Sequence, residues 1–209
     1  MDKVVQLFRP VYDSNSKILI LGTFPSVKSR EAKFYYQHPR NRFWNVISEI
    51  VQKKEYETIE DMRKMLIDNN IALWDVIESC EITGSSDSSI KNIVPADLSI
   101  ILDNANIKKI YANGDKAFKI YMKYAYPITK REIIKLPSTS PVNATFFGKI
   151  SRQLDTDKKL FVVILLIMYL FIKNMNKMQD ISFYICILML NYNMKSKENT
   201  IYHQKVYLK

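Results

Sequence analysis

The feature that most constrains this 209-residue chain is the apolar run Ile18 to Leu21 (ILIL), entered from Lys17 and closed by Gly22. An unbroken apolar run of that length, ended by glycine, reads as a strand covered on both faces, the pattern of an interior parallel strand. Further strands are expected at Ile71–Trp74 (IALW), Lys108–Ala112 (KKIYA) and Glu132–Leu136 (EIIKL). Helical spacing lies between the runs. Asn41–Val51 has apolar residues at Phe43, Val46, Ile47, Ile50 and Val51, and Thr58–Asn69 has Met62, Met65 and Leu66. Further helices are expected over Pro95–Asn104, with Pro95 near the start, over Lys116–Tyr124, and from Asn143 to about Leu154. Gly84–Ser89 (GSSDSS) is too polar for core and reads as a loop. Strands alternating with helices imply a three-layer α/β/α sandwich around a central, mostly parallel four-stranded sheet.

In such sheets ligands gather beyond the carboxyl ends of the strands. The unusual residues of this chain fall there: Gly22 to Ser26, Asp75, Asn113, and Ser138 to Asn143. The segment after the first strand adds a polar and aromatic cluster, Phe34, Tyr35, Tyr36, His38, Arg40, Asn41, Phe43 and Trp44. A formal net charge of +10 favours a polyanionic partner, nucleic acid or an anionic membrane surface. Cys80 and Cys186 match no metal or redox spacing and read as reduced thiols. MDKVVQLFRP has no apolar core of a signal peptide, so a cytoplasmic protein is expected.

Taken together, GTFPSVKS, FYYQHPRNRFW, LWDVIESCEITGSSDSSI, YANG and LPSTSPVNA, in this order over Lys17–Ala144, resemble the uracil-DNA glycosylase superfamily, and within it the hypoxanthine (deoxyinosine) DNA glycosylase branch. The resemblance implies a DNA groove across the strand ends and no metal or organic cofactor. It implies a monomer acting on double- or single-stranded DNA that contains a deaminated base. It assigns the main catalytic role to the amide of the HPRN piece, Asn41, which would position or polarise the attacking water, and suggests Asn113 as a second polar group near the base.

The chemistry is consistent with those residue types. A glycosylase extrudes a nucleotide and holds the base between stacking and edge-reading groups. Neutral amides suit it, because Asn both donates and accepts hydrogen bonds. The base pocket is expected at Gly22, Thr23, Phe24, Pro25 and His38, and phosphate contacts at Ser26, Ser138, Thr139, Ser140 and Asn143. Alternatives stand beside several of these. Asn113 before Gly114 also reads as a turn residue, Phe24 as a stacking ring or a core ring, and His38 as an acid, a phosphate ligand or a positioning residue. Tyr35, Tyr36 and Trp44 read as wall and core. Lys28, Arg30, Arg40, Arg42 and Lys91 are groove cations or plain surface charges. No lysine stands in the cluster as a Schiff-base nucleophile, so base excision without strand cleavage is expected. Hypoxanthine is the substrate that the resemblance favours, with uracil and xanthine as alternatives. A non-catalytic relative that binds nucleic acid or a purine nucleotide in the same cleft is the rival function.

Beyond about Leu160 the composition changes, giving a uracil-DNA-glycosylase-like domain over 1–160 and an extension over 161–209. Leu160–Ile172 and Ile181–Leu190 are apolar runs, and no Gly or Pro occurs from Lys149 onward. Both runs are shorter than the ~20 residues that span a bilayer. The extension reads as a final core element with a tail, as a membrane-contacting tail, or, preferred here, as the product of an altered reading frame.

Overall fold

The computed structural model describes residues 2–51 and 56–141. Along the chain the elements are β1 (Asp2–Val5), β2 (Ile18–Gly22), α1 (Val27–Ala32), α2 (Phe43–Ile50), α3 (Ile59–Asp68), β3 (Ile71–Asp75), β4 (Ile77–Ile82), β5 (Lys91–Pro95), α4 (Ser99–Leu102), β6 (Lys109–Asn113), α5 (Asp115–Ile120), α6 (Tyr126–Thr129) and β7 (Ile133–Leu136). The expected helix from Asn143, Asn143 itself, Cys186 and the extension after 160 lie outside the described residues.

The four apolar runs form one sheet in the order β3-β2-β6-β7, every pair parallel. This is the central sheet of the expected α/β/α architecture. All five residues of β2 and all five of β3 are buried, so truncating Leu19 or Leu21 to alanine costs about 2–5 kcal/mol. Helices cover the sheet where the apolar spacing predicts. In α2, Phe43, Trp44, Val46 and Ile47 are buried. A capping box starts α3, in which Asp61 N donates to Thr58 Oγ1 at 3.1 Å and Thr58 N donates to Asp61 Oδ2 at 3.0 Å. Met65 and Leu66 turn from that helix into the core.

A second, antiparallel sheet, β1-β4-β5, departs from the sequence reading. Pro95 does not begin a helix. It is the last residue of β5, opposite Ile77, and α4 is confined to Ser99–Leu102. Proline is tolerated there because β5 is an edge strand, where a missing N–H costs little. The residues after Asp75 continue as β4 and pair with both β1 and β5. The helix expected to Tyr124 is regular only to Ile120, and a π-helical turn, Tyr121–Ala125, joins it to α6. Helix α1 was not legible as one. Ser26 caps it, accepting from Ser29 N at 3.2 Å.

Candidate active site at the carboxyl ends of the parallel strands

Parallel register brings the strand ends together. Gly22 is paired with Asp75 across β2 and β3. Asn113 follows the Leu21–Ala112 pair on the other side and so stands level with Gly22. The middle position of this row has no side chain, for a reason that can be measured. A Cβ on Gly22 would lie 2.2 Å from Asp75 Oδ1 and 2.7 Å from Tyr36 Oη. The Asp75 carboxylate, only 3% exposed, therefore lies against the bare backbone of Gly22. Beyond Gly22, Thr23, Phe24 and Pro25 are buried and Ser26 is half-buried. Phe24 is 9% exposed. No aromatic ring among the described residues stacks on it.

Tyr36 adopts the left-handed conformation (φ 57°) and stacks on Phe43, with ring centroids 4.0 Å apart. Phe34 stacks on Trp44, whose indole N–H donates to the Tyr35 carbonyl at 2.9 Å. Tyr35 and Trp44 lie in the core, as expected, together with Phe34 and Phe43. Burial, with the nearby Asp75 charge as a smaller cause, raises the Tyr35 phenol well above its usual range. Its hydroxyl donates to the Arg9 carbonyl at 3.0 Å.

The polar segment that follows is internally braced. Asn41 N donates to the His38 carbonyl at 2.8 Å, and Arg40 N donates to His38 Nδ1 at 3.1 Å. Asn41 Oδ1 accepts from Phe43 N at 2.9 Å, so this amide helps to start α2. That bond fixes the amide orientation, because only the carbonyl end can accept. The Asn41 NH2 group makes no hydrogen bond among the described residues.

Two hydrogen bonds join Asn113 to the last loop: Asn113 Nδ2 donates to Thr139 Oγ1 at 2.9 Å, and Thr139 N donates to Asn113 Oδ1 at 3.0 Å. From the other side, Arg42 N donates to the Thr139 carbonyl at 3.2 Å and Arg42 Nη2 to the Ser140 carbonyl at 3.3 Å. Desolvation lowers the pKa of the Arg42 guanidinium. Ser140 N donates to Ser138 Oγ at 3.2 Å. Gly114 is needed twice over, at φ 107° and with Ser138 Cβ only 2.9 Å from where its own Cβ would stand.

The fold thus brings Asn41, Asn113 and Ser138–Ser140 into one connected group, with His38 joined to Asn41. It brings Gly22, Asp75 and Tyr36 into another, at the level of Asn113. The sequence places Asp75 at the strand ends and Tyr36 in the wall without a chemical task for either, although a buried run ending in a carboxylate (LWD) is a signal for one. Arg30, grouped by sequence with the groove cations, instead donates Nη1 to the Pro25 carbonyl at 2.8 Å and Nη2 to the Gly84 carbonyl at 3.3 Å. A separate groove of about 530 Å3 is lined by Asp97, Leu102, Tyr124, Ile128 and Arg131 among others, none of them a site residue named above. Among the described residues no group of three or more His, Cys, Asp or Glu side chains could hold a metal ion. No helix among them is long and apolar enough to cross a membrane.

The class these features define is an α/β protein with an amide- and hydroxyl-lined site at the carboxyl edge of a four-stranded parallel sheet. The chain belongs to the uracil DNA glycosylase superfamily, whose family model matches residues 9–161. It is similar to a hypoxanthine DNA glycosylase of Methanosarcina barkeri, 37% identical over 118 residues that cover 54% of this chain and 72% of that protein. A hypoxanthine DNA glycosylase of Methanosarcina acetivorans is 35% identical over 116 residues, covering 53% and 71%. Among solved structures, the solution structure of a Methanosarcina acetivorans protein assigned as a uracil DNA glycosylase superposes with a TM-score of 0.61 at 29% identity, covering 78% of this chain and 96% of that one.

Proposed function

We propose that this chain is a monofunctional DNA glycosylase of base-excision repair. It flips a deaminated base out of DNA, hypoxanthine of deoxyinosine above others, and hydrolyses the N-glycosidic bond with a positioned water, leaving an abasic site. The observation that carries this reading is the Asn41 amide. Its carbonyl is anchored on Phe43 N, and its segment is tied through Arg42 to the loop that Asn113 braces. A group so held loses little entropy in orienting a water against the sugar. The anchored carbonyl retains a second lone pair to accept a proton of that water, and the NH2 group can donate to the departing base.

Asp75 supplies a chemical basis for choosing deaminated purines. Hypoxanthine carries a proton on N1 where adenine has a lone pair. A carboxylate at the pocket edge accepts from the first and repels the second. Phe24 is the stacking ring of this reading. Ser26 and Ser138–Ser140 with Asn143 contact the phosphates flanking the extruded nucleotide, which provide most of the affinity of any such complex. Asn113 acts mainly by holding Thr139 in that loop.

The test is incubation with duplexes that carry inosine, uracil or xanthine, followed by alkaline cleavage at abasic sites. Release of hypoxanthine fastest, with no borohydride-trapped covalent complex, is expected. Retained DNA binding with no base released would leave a binding protein instead of an enzyme.

A further inference from the structure

Two loops on the site side of the molecule grow from different sheets. The Thr23–Ser26 turn follows β2 of the parallel sheet, and the Gly84–Ser89 loop follows β4 of the antiparallel one. Helix α1 bridges them. Its Arg30 guanidinium donates one nitrogen to the Pro25 carbonyl at 2.8 Å and another to the Gly84 carbonyl at 3.3 Å. At the same seam Val27 N donates to Ser85 Oγ at 2.9 Å. On the opposite side of the helix the buried Ser29 accepts from Gln37 N through its hydroxyl at 3.2 Å and from Phe34 N through its carbonyl at 3.0 Å. Six residues of helix therefore join the base turn, the serine loop and the segment that leads to Asn41.

A cation meant for phosphate keeps its donors toward the solvent, where the backbone of DNA would pass. Arg30 has instead committed two donors to main-chain carbonyls on two separate loops. We infer that Arg30 is a positioning residue, a clamp that holds the base turn at Pro25 in fixed relation to the serine loop at Gly84. Any DNA contact made by that loop would then set the position of the Thr23–Ser26 turn. The inference rests on the glycosylase reading for its consequence in catalysis, but not for the clamp itself. Lysine is a poor replacement for this arginine: its ammonium has three donors but lacks the planar fork whose two nitrogens each reach one of the two carbonyls.

The test compares full-length wild type with Arg30→Lys, Arg30→Met and Ser85→Ala. Three quantities are read: the single-turnover rate of hypoxanthine release from an inosine duplex, the Kd for that duplex over a salt series, and hydrogen exchange without DNA in peptides covering 22–30 and 83–90. Both Arg30 variants should lose about 10- to 100-fold in rate, the scale of a misplaced reacting group. Arg30→Lys should keep its Kd within about threefold and its salt slope unchanged, since no phosphate contact is lost. Exchange in both peptides should quicken in the two Arg30 variants, and near residue 85 in Ser85→Ala. A wild-type rate in Arg30→Lys overturns the clamp. So does Arg30→Met with an unchanged rate and a salt slope smaller by about 1, the mark of a lost phosphate contact. If wild type releases no base, the glycosylase reading fails and hydrogen exchange alone decides; unchanged exchange in Arg30→Lys then overturns the inference. Should Arg30→Met not fold, Arg30→Lys and Ser85→Ala carry the same test.

Discussion

Asn113 and Thr139 grip each other through both ends of one side-chain amide, which gives and takes a hydrogen bond across the gap between β6 and the loop after β7. The pair behaves as a unit if that reciprocity matters. Asn113→Ala removes both bonds and Thr139→Ala only the one to its hydroxyl, so Asn113→Ala should slow base release more, and the double variant should be scarcely worse than Asn113→Ala alone. A double-mutant cycle on stability should return a coupling of about 1–2 kcal/mol. Strict additivity would show that the bond from the Asn113 amide to the Thr139 hydroxyl contributes nothing.

At Asn41, chemistry and helix initiation can be separated. Asn41→Ala removes the acceptor for Phe43 N and should cost about 1 kcal/mol of stability, together with about 10²–10³ in the rate, the usual scale for losing a transition-state hydrogen bond. Asn41→Asp keeps the acceptor, so its thermal midpoint should match wild type while its rate still falls. Full activity in either variant would remove Asn41 from the catalytic role.

Gly22 faces a crowded wall. Gly22→Ala puts a methyl group against Asp75 Oδ1 and Tyr36 Oη and should destabilise by about 1–3 kcal/mol. The same change made in an Asp75→Ala background should cost less, since one of the two obstacles has gone. Equal cost in both backgrounds, measured by denaturant unfolding, would mean that the backbone and not the carboxylate is what requires glycine.

How much of this was legible beforehand depends on the kind of signal. Strands β2 and β3 announced themselves because burial on both faces leaves an unbroken apolar run, β6 and β7 less clearly because each is partly exposed, and the four ends point to the candidate site. The antiparallel sheet did not. Strand β5 (KNIVP) is exposed at several positions and carries a proline that also suits a helix start. Helix α1 is six residues long and carries no apolar stripe, so only its Ser26 cap could have marked it. The polar residues can be named from the sequence, but sequence does not say which of their atoms are already engaged. Asn113 proved braced on both ends, and Arg30 proved turned toward carbonyls.

Alkaline stability should reflect the buried Tyr35 hydroxyl. Its pKa is raised in the folded protein, first by burial, so the unfolded chain loses this proton at a lower pH than the folded one. Stability from this group is whole below about pH 10, the ordinary phenol value, and is lost as pH rises beyond it. Tyr56 and Tyr121 are raised in the same direction by burial and add to the decline. Tyr35→Phe should start less stable, having lost its bond to the Arg9 carbonyl, yet should fall off less steeply between pH 9 and 11. Parallel pH profiles from denaturant titrations would remove Tyr35 from the account.

His38 accepts the Arg40 N–H through Nδ1, which places the proton of the neutral ring on Nε2. Long-range 1H–15N spectra of the folded protein should show the neutral ring as that single tautomer. A ring protonated at Nδ1, or a rapidly averaging mixture, would show that the bond to Arg40 does not govern it.

Strand β2 stands in the middle of its sheet, with Ile18 paired to Ile71 on one side and to Lys109 on the other. Both partners come from later in the chain, the second much later. As the polypeptide is synthesised, Gly22 and Asp75 can meet well before Asn113 and Thr139 exist. The row at the sheet edge is therefore completed from one side, and its final member arrives only with the long-range closure of β6 onto β2. Closures of that kind are the slow events of folding. Recovery of enzymatic activity on refolding should consequently lag behind the formation of helices and of the β2–β3 pair.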